Sequence, residues 1–124
     1  ETNYNTDELY EHTINLNISP DNIAVIYDGM HAVVNETGGT AYKAFAQSGL
    51  DMLGVTVYGK TGSTEKPDNA CFGGFACDAN NRSVALAVVV EGAQHGSSDA
   101  APIARKIIQF CIDADYLTPS TTTP

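Results

Sequence analysis

The run Gly54-Val55-Thr56-Val57-Tyr58-Gly59-Lys60-Thr61-Gly62-Ser63-Thr64 is the part of this chain best equipped for chemistry, with a cation, close-set glycines and three hydroxyls at its end. Two patterns fit it. Gly54 to Thr61 formally spells G-x-x-x-x-G-K-T, the phosphate-binding loop in which backbone amides and a lysine hold a nucleotide. Lys60 to Ser63 spells K-T-G-S, in which a strand would carry the site itself. Lys60 and Gly62 then share one face, because side chains alternate along a strand. A glycine beside the lysine lets a ligand backbone come close.

The flanks separate the two. A phosphate loop needs a strand before its first glycine and a helix that starts near the lysine. Here the residues inside the supposed loop are Val-Thr-Val-Tyr, all strong strand formers. Gly62 and then Ser-Thr-Glu-Lys66-Pro67 follow, which is turn chemistry rather than a helix start. Nucleotide binding therefore ranks last among the readings, with Glu91 after an apolar strand as its one further support.

The chain as a whole sets bounds. Its 124 residues suit one domain or part of one, and 43% hydrophobic residues can build a core. A net charge of −9 argues against nucleic acid, which needs clustered Lys and Arg. No apolar run is long enough to span a membrane, and none at the start resembles a signal core. Cys71, Cys77 and Cys111 are an odd set without metal-ligand spacing, so no metal or cofactor is implied. Cys71 and Cys77 fall on one expected strand, about 20 Å apart at ~3.4 Å per residue, and cannot bridge. All three read as buried apolar thiols.

The elements that would position the K-T-G-S run follow in order. Ile14, Leu16 and Ile18 alternate with asparagines and predict a short half-buried strand. Ser19-Pro20 starts a helix, with Ser as cap and Pro at its first position. Ile23, Ile26, Tyr27, Met30, Val33 and Val34 form its apolar stripe, read as core, and it ends near Asn35 before Gly38-Gly39. Thr40 to Gln47 predicts a short second helix. Val55–Ser63, Ala70–Cys77 and Ser83–Val90 predict three strands joined by the turns at Pro67-Asp68 and Asp78-Ala79-Asn80-Asn81. The third strand has an unbroken apolar run, which predicts burial of both faces. Ser97 or Ser98 caps a last helix, with Asp99 in its first turn. Ile103, Ile107, Phe110, Cys111 and Ala114 make its expected inner face. Residues 1–12 and 118–124 read as flexible.

Three stretches resemble the transpeptidase domain of high-molecular-weight class B penicillin-binding proteins. They are Gly29-Met30-His31-Ala32-Val33-Val34-Asn35 with Gly39-Thr40-Ala41; Gly59-Lys60-Thr61-Gly62-Ser63; and Gly96 through Ile107 (GSSDAAPIARKI). Asn69 to Phe75 is also similar to the family strand that follows K-T-G. Cys71 stands where that family usually has a large aromatic. The family's Ser-x-x-Lys nucleophile and its Ser-x-Asn element come before K-T-G. Here Ser63-Thr64-Glu65-Lys66 matches the first in letters alone, overlapping the strand and running into Pro67, and no Ser-x-Asn triplet occurs. Residues 1–124 are therefore expected to be a C-terminal part of that domain.

The resemblance implies an α+β fold, an antiparallel sheet with packed helices. It implies a peptidoglycan D,D-transpeptidase that works through an acyl-serine, binds stem peptides and β-lactams, and acts outside the cytoplasm with its membrane anchor elsewhere. Lys60 would supply positive potential for the substrate's terminal carboxylate. Thr61 and Ser63 hydroxyls would bind that carboxylate, Gly62 would keep the strand open, and the Ser63 backbone N–H would serve the oxyanion hole. The isolated chain is expected to be inactive. The rival reading is a non-catalytic module of the same fold that binds wall fragments or a partner. His31 and His95 read as surface residues rather than bases. Strand pairing in chain order would leave Ser83–Val90 as an apolar edge, which predicts self-association.

Overall fold

The computed structural model describes residues 15–120. Helix α1 runs Pro20–Asn35. Ser19 caps it by accepting the Asn22 N–H at 3.3 Å, and Pro20 occupies the first turn, where its missing N–H costs nothing. The chain leaves α1 through Gly38, whose φ of +103° suits only glycine, and folds into the short helix α2, Tyr42–Phe45. Three strands follow: β1 Thr56–Glu65, β2 Asp68–Cys77 and β3 Ser83–Glu91. They pair antiparallel in the order β1-β2-β3. A π-helical turn at Gly96–Ala100 leads into helix α3, Ala101–Asp113. This is the expected α+β arrangement, with the expected strand order and short connections.

The register sorts the side chains into two faces. Val57 lies opposite Ala76, Gly59 opposite Gly74, Thr61 opposite Phe72, and Phe72 opposite Val88. These residues line the inner face. Phe72 is buried there and stacks on Phe45 with ring centroids 5.8 Å apart. Gly59 makes room for it: a Cβ on Gly59 would fall 2.3 Å from Phe72 Cζ. Ala101, Ala104, Ile108, Cys111 and Ile112 of α3 are buried in the same core.

The opposite face carries Tyr58, Lys60 and Gly62 on β1 and Cys71, Gly73 and Phe75 on β2. Helix α1 covers one end of it through Tyr27, which contacts Tyr58 at 5.9 Å and Phe75 at 5.6 Å between ring centroids. Further along, this face is open, and Val89 on β3 is exposed.

Several sequence expectations change. Residues 15–18 form no strand, and Leu16 and Ile18 are exposed; Ile14 lies outside the described residues. The α1 stripe is buried only at Val34, while Ile26 and Tyr27 stay exposed, because the sheet reaches only the C-terminal half of the helix. Strand β3 buries one face, not two: Ala85, Ala87 and Val89 are exposed. Of the expected inner face of helix α3 only Cys111 is buried; Ile103, Ile107, Phe110 and Ala114 are exposed, and Ala101, Ala104, Ile108 and Ile112 face inward instead. Neither Ser97 nor Ser98 caps the last helix. Its N-cap is Ala100, with no side-chain hydrogen bond, and Asp99 instead ties the π-helical turn back on itself, accepting the His95 N–H at 2.9 Å and the Ser98 hydroxyl at 3.2 Å. The His95 N–H, first among these, holds the Asp99 carboxyl below its ordinary value.

The chain after α3 is tied down. Asp78, buried at the end of β2, accepts the backbone N–H of Thr118 at 2.7 Å, of Asn80 at 2.8 Å and of Arg82 at 2.9 Å. Arg82 reaches the Thr118 hydroxyl at 2.6 Å and the Asp115 carbonyl. The Ser120 N–H donates to Leu53 O at 2.8 Å. Residues 118–120 are thus hydrogen-bonded to the end of the sheet and to the turn before β1. Residues 121–124, like 1–12, lie outside the described residues.

Candidate functional site

The candidate residues Lys60 to Ser63 sit on an edge of the sheet. Strand β1 has β2 on one side only. On its other side Asn35, the last residue of α1, donates Nδ2 to Val57 O at 2.9 Å and to His31 O at 2.9 Å. The Val57 carbonyl thus points off the sheet. In an antiparallel ladder outward and inward backbone groups alternate, so Gly59, Thr61 and Ser63 also turn theirs outward. The Ser63 N–H is therefore presented at the free edge. This happens beyond the point where α1 lets go of the strand, so the edge there is uncovered by α1.

Lys60 stands exposed on the outer face, and its ammonium bends over the edge to the Thr61 carbonyl at 2.7 Å. Gly62 is on the same face, as the alternation predicts, opposite Cys71. Thr61 points inward. It is 9% exposed and its hydroxyl lies 2.6 Å from that of Thr40. The Ser63 hydroxyl accepts the Gly96 N–H at 3.3 Å. Thr40, Thr61, Gly62, Ser63, His95, Gly96 and Ser97 together line a cavity of about 210 Å³. Three of the four expected site residues thus meet at one cavity, and Lys60 stands beside it across the edge.

Two loops complete this wall, and sequence reasoning assigned neither a role. Thr40 comes from the turn after α1, and Gly96 and Ser97 from the turn before α3. Both stretches carry part of the family resemblance, which was the available signal. Gly96 is pressed onto the ladder: a Cβ there would lie 2.5 Å from the carbonyl oxygens of both Cys71 and Gly62. His95 is exposed at the cavity rim, and His31 packs on Tyr58 with ring centroids 5.7 Å apart.

The arrangement suits an extended, anionic ligand. One cation, two hydroxyls and an outward N–H lie along a strand edge whose Gly62 leaves the surface low. The same geometry overturns the nucleotide reading. Thr56 to Gly59 are already strand, and Lys60-Thr61 lies inside β1 rather than at a helix N-terminus. Ser63 and Lys66 cannot act as a helical Ser-x-x-Lys pair either, since Ser63 is in β1 and Lys66 in the turn after it. Among the described residues no cluster of three or more His, Cys, Asp or Glu is placed to hold a metal ion. The three cysteines are free.

Residues 7–109 match the family of the penicillin binding protein transpeptidase domain. The chain is 33% identical over 98 aligned residues to the peptidoglycan D,D-transpeptidase MrdA of Haemophilus influenzae, covering 68% of this chain and 15% of that protein. Its fold is similar to that of Pseudomonas aeruginosa PBP2, solved in complex with WCK 5153. The TM-score is 0.60 at 29% identity, over 90% of this chain and 23% of that one. The chain spans less than a quarter of either relative.

Proposed function

The chain belongs to the penicillin-binding protein transpeptidase family, and we propose that it is the K-T-G-bearing part of a peptidoglycan D,D-transpeptidase. In this reading a serine outside these 124 residues attacks the D-Ala–D-Ala carbonyl of a stem peptide. The terminal D-Ala leaves, and an amine of a second stem takes the acyl group from the serine. β-Lactams imitate the first substrate and stay attached.

The chain's own residues supply recognition. Lys60 places positive potential at the strand edge for the terminal carboxylate. The Thr61 and Ser63 hydroxyls, which line the cavity, donate to that carboxylate; bonds to charged groups contribute about 1.5–3 kcal/mol each. The outward Ser63 N–H is a donor for the oxyanion that forms at the attacked carbonyl, the kind of interaction that often dominates acyl transfer. Gly62 keeps the strand surface clear for the ligand backbone. The observation that carries the reading is the edge placement of Lys60-Thr61-Gly62-Ser63, with its hydroxyls gathered at a cavity.

The partners are stem peptides and β-lactams in the complete domain, and a second copy of the chain when it is isolated. The peptidoglycan substrate puts the work outside the cytoplasmic membrane. No helix among the described residues is long and apolar enough to cross a membrane, so we assign anchoring to other parts of the protein. Incubation of the isolated chain with a fluorescent penicillin, followed by a denaturing gel, tests the division of labour. No covalent band is expected. A stoichiometric band that Ser63→Ala abolishes would overturn the assignment of the nucleophile to residues elsewhere.

A further inference from the structure

We propose that Thr40 is a positioning residue: its hydroxyl donates to Thr61 Oγ1 and so aims the Thr61 proton into the cavity, toward an anionic group of the ligand. The identity of that group, a carboxylate, rests on the functional reading above. The two oxygens are 2.6 Å apart, so one hydroxyl donates to the other. If Thr61 donates to Thr40, its proton is spent, and it meets a carboxylate with lone pairs alone. A carboxylate only accepts, so the bound state requires the reverse: Thr40 donates and Thr61 keeps its proton for the ligand. Thr61 is buried, and water is poorly placed to replace that donor. Thr40 is exposed, so its lone pairs are open to solvent. Two hydroxyls donating in sequence toward an anion polarise each other and strengthen the last bond.

The loop is built to hold Thr40 in place. On one side Gly39 is pressed against α1: a Cβ there would lie 2.3 Å from Ala32 O. On the other side Ala41 is fully buried and its N–H donates to Val33 O at 3.0 Å. Thr40 is thus pinned between two anchored neighbours, with its side chain against β1 and on the cavity wall.

The test uses the complete protein that carries this chain and measures the second-order rate of acylation by a penicillin and by its methyl ester, which lacks the carboxylate. Thr40→Val keeps the shape and removes the donor; Thr40→Ser keeps the donor. Thr40→Val is expected to slow the penicillin reaction about tenfold, with Thr40→Ser within about twofold of wild type and both variants within about twofold of it on the ester. A Thr40→Val protein that matches wild type on the penicillin overturns the proposal. So does an equal loss on penicillin and ester, which marks a merely structural role. Wild-type protein that neither compound acylates overturns the transpeptidase reading itself, and the proposal with it.

Discussion

Gly96 shows how tightly single positions control the site. Its missing side chain brings the turn before α3 against two backbone carbonyls, which cannot swing aside as a flexible side chain would. Gly96→Ala should push this turn off Ser63 and lower stability by about 1–3 kcal/mol, the range for overpacking. Gly73→Ala is the control: no atom lies within 4 Å of its Cβ position, so its unfolding midpoint in urea should barely move. Asp78 gives a pH prediction. The Thr118 N–H above all, with those of Arg82 and Asn80 and the Arg82 charge, holds its carboxyl below the ordinary value. A group lowered in the folded state stabilises above its unfolded pKa and loses that effect as pH falls through the folded one. Wild type should therefore melt above Asp78→Asn at pH 7, and the gap should close as pH drops below about 4. The K-T-G-S residues were legible at this scale because their order is local. Thr40 was not, because its partner is 21 residues away and nothing local records that pairing.

Among the elements, α3 is the instructive case. It carries two apolar stripes at helical spacing, Ile103-Ile107-Phe110 and Ala101-Ala104-Ile108-Cys111. Periodicity favours the bulkier one. The fold buries the other, because alanines let the helix approach the sheet and leave Phe72 and Ile108 to fill the space. Ile108→Ala should cost about 2–5 kcal/mol. Phe110→Ala, at a side chain 64% exposed, should stay within about 0.5 kcal/mol in the isolated chain. Denaturant unfolding of both variants decides which face is core; the reverse ranking would restore the periodicity reading. The strands were legible, since short turns and β-branched runs leave few ways to pair. The burial of β3 was not: an unbroken apolar run states that both faces tolerate burial, and says nothing about whether the rest of the chain covers them. The exposed first turns of α1 have the same cause.

At the scale of the whole molecule, the uncovered surfaces gather where the sheet ends. Strand β3 has one neighbour, and its outer edge and outer face carry Val89, Ala87 and Ala85 into solvent. We expect the isolated chain to self-associate through Ser83–Val90 at moderate ionic strength, where the −9 charge is screened. Sedimentation equilibrium over a wide concentration range should show mass rising above one chain; a monomer throughout, with strong amide protection along β3, would mean the chain covers its own edge. The proposal that this chain supplies the recognition strand of an acyl-transfer site rests on the family membership and on the edge placement of K-T-G-S. The second-order rate of acylation of the complete protein by a fluorescent penicillin, compared for Lys60→Ala and Lys66→Ala, tests it most directly. Lys60, over the strand edge, should be worth about 100-fold or more, as for other groups that stabilise charge in acyl transfer. Lys66, in the turn, should leave the rate close to wild type. Equal losses for the two lysines, or no loss for Lys60→Ala, would contradict the account.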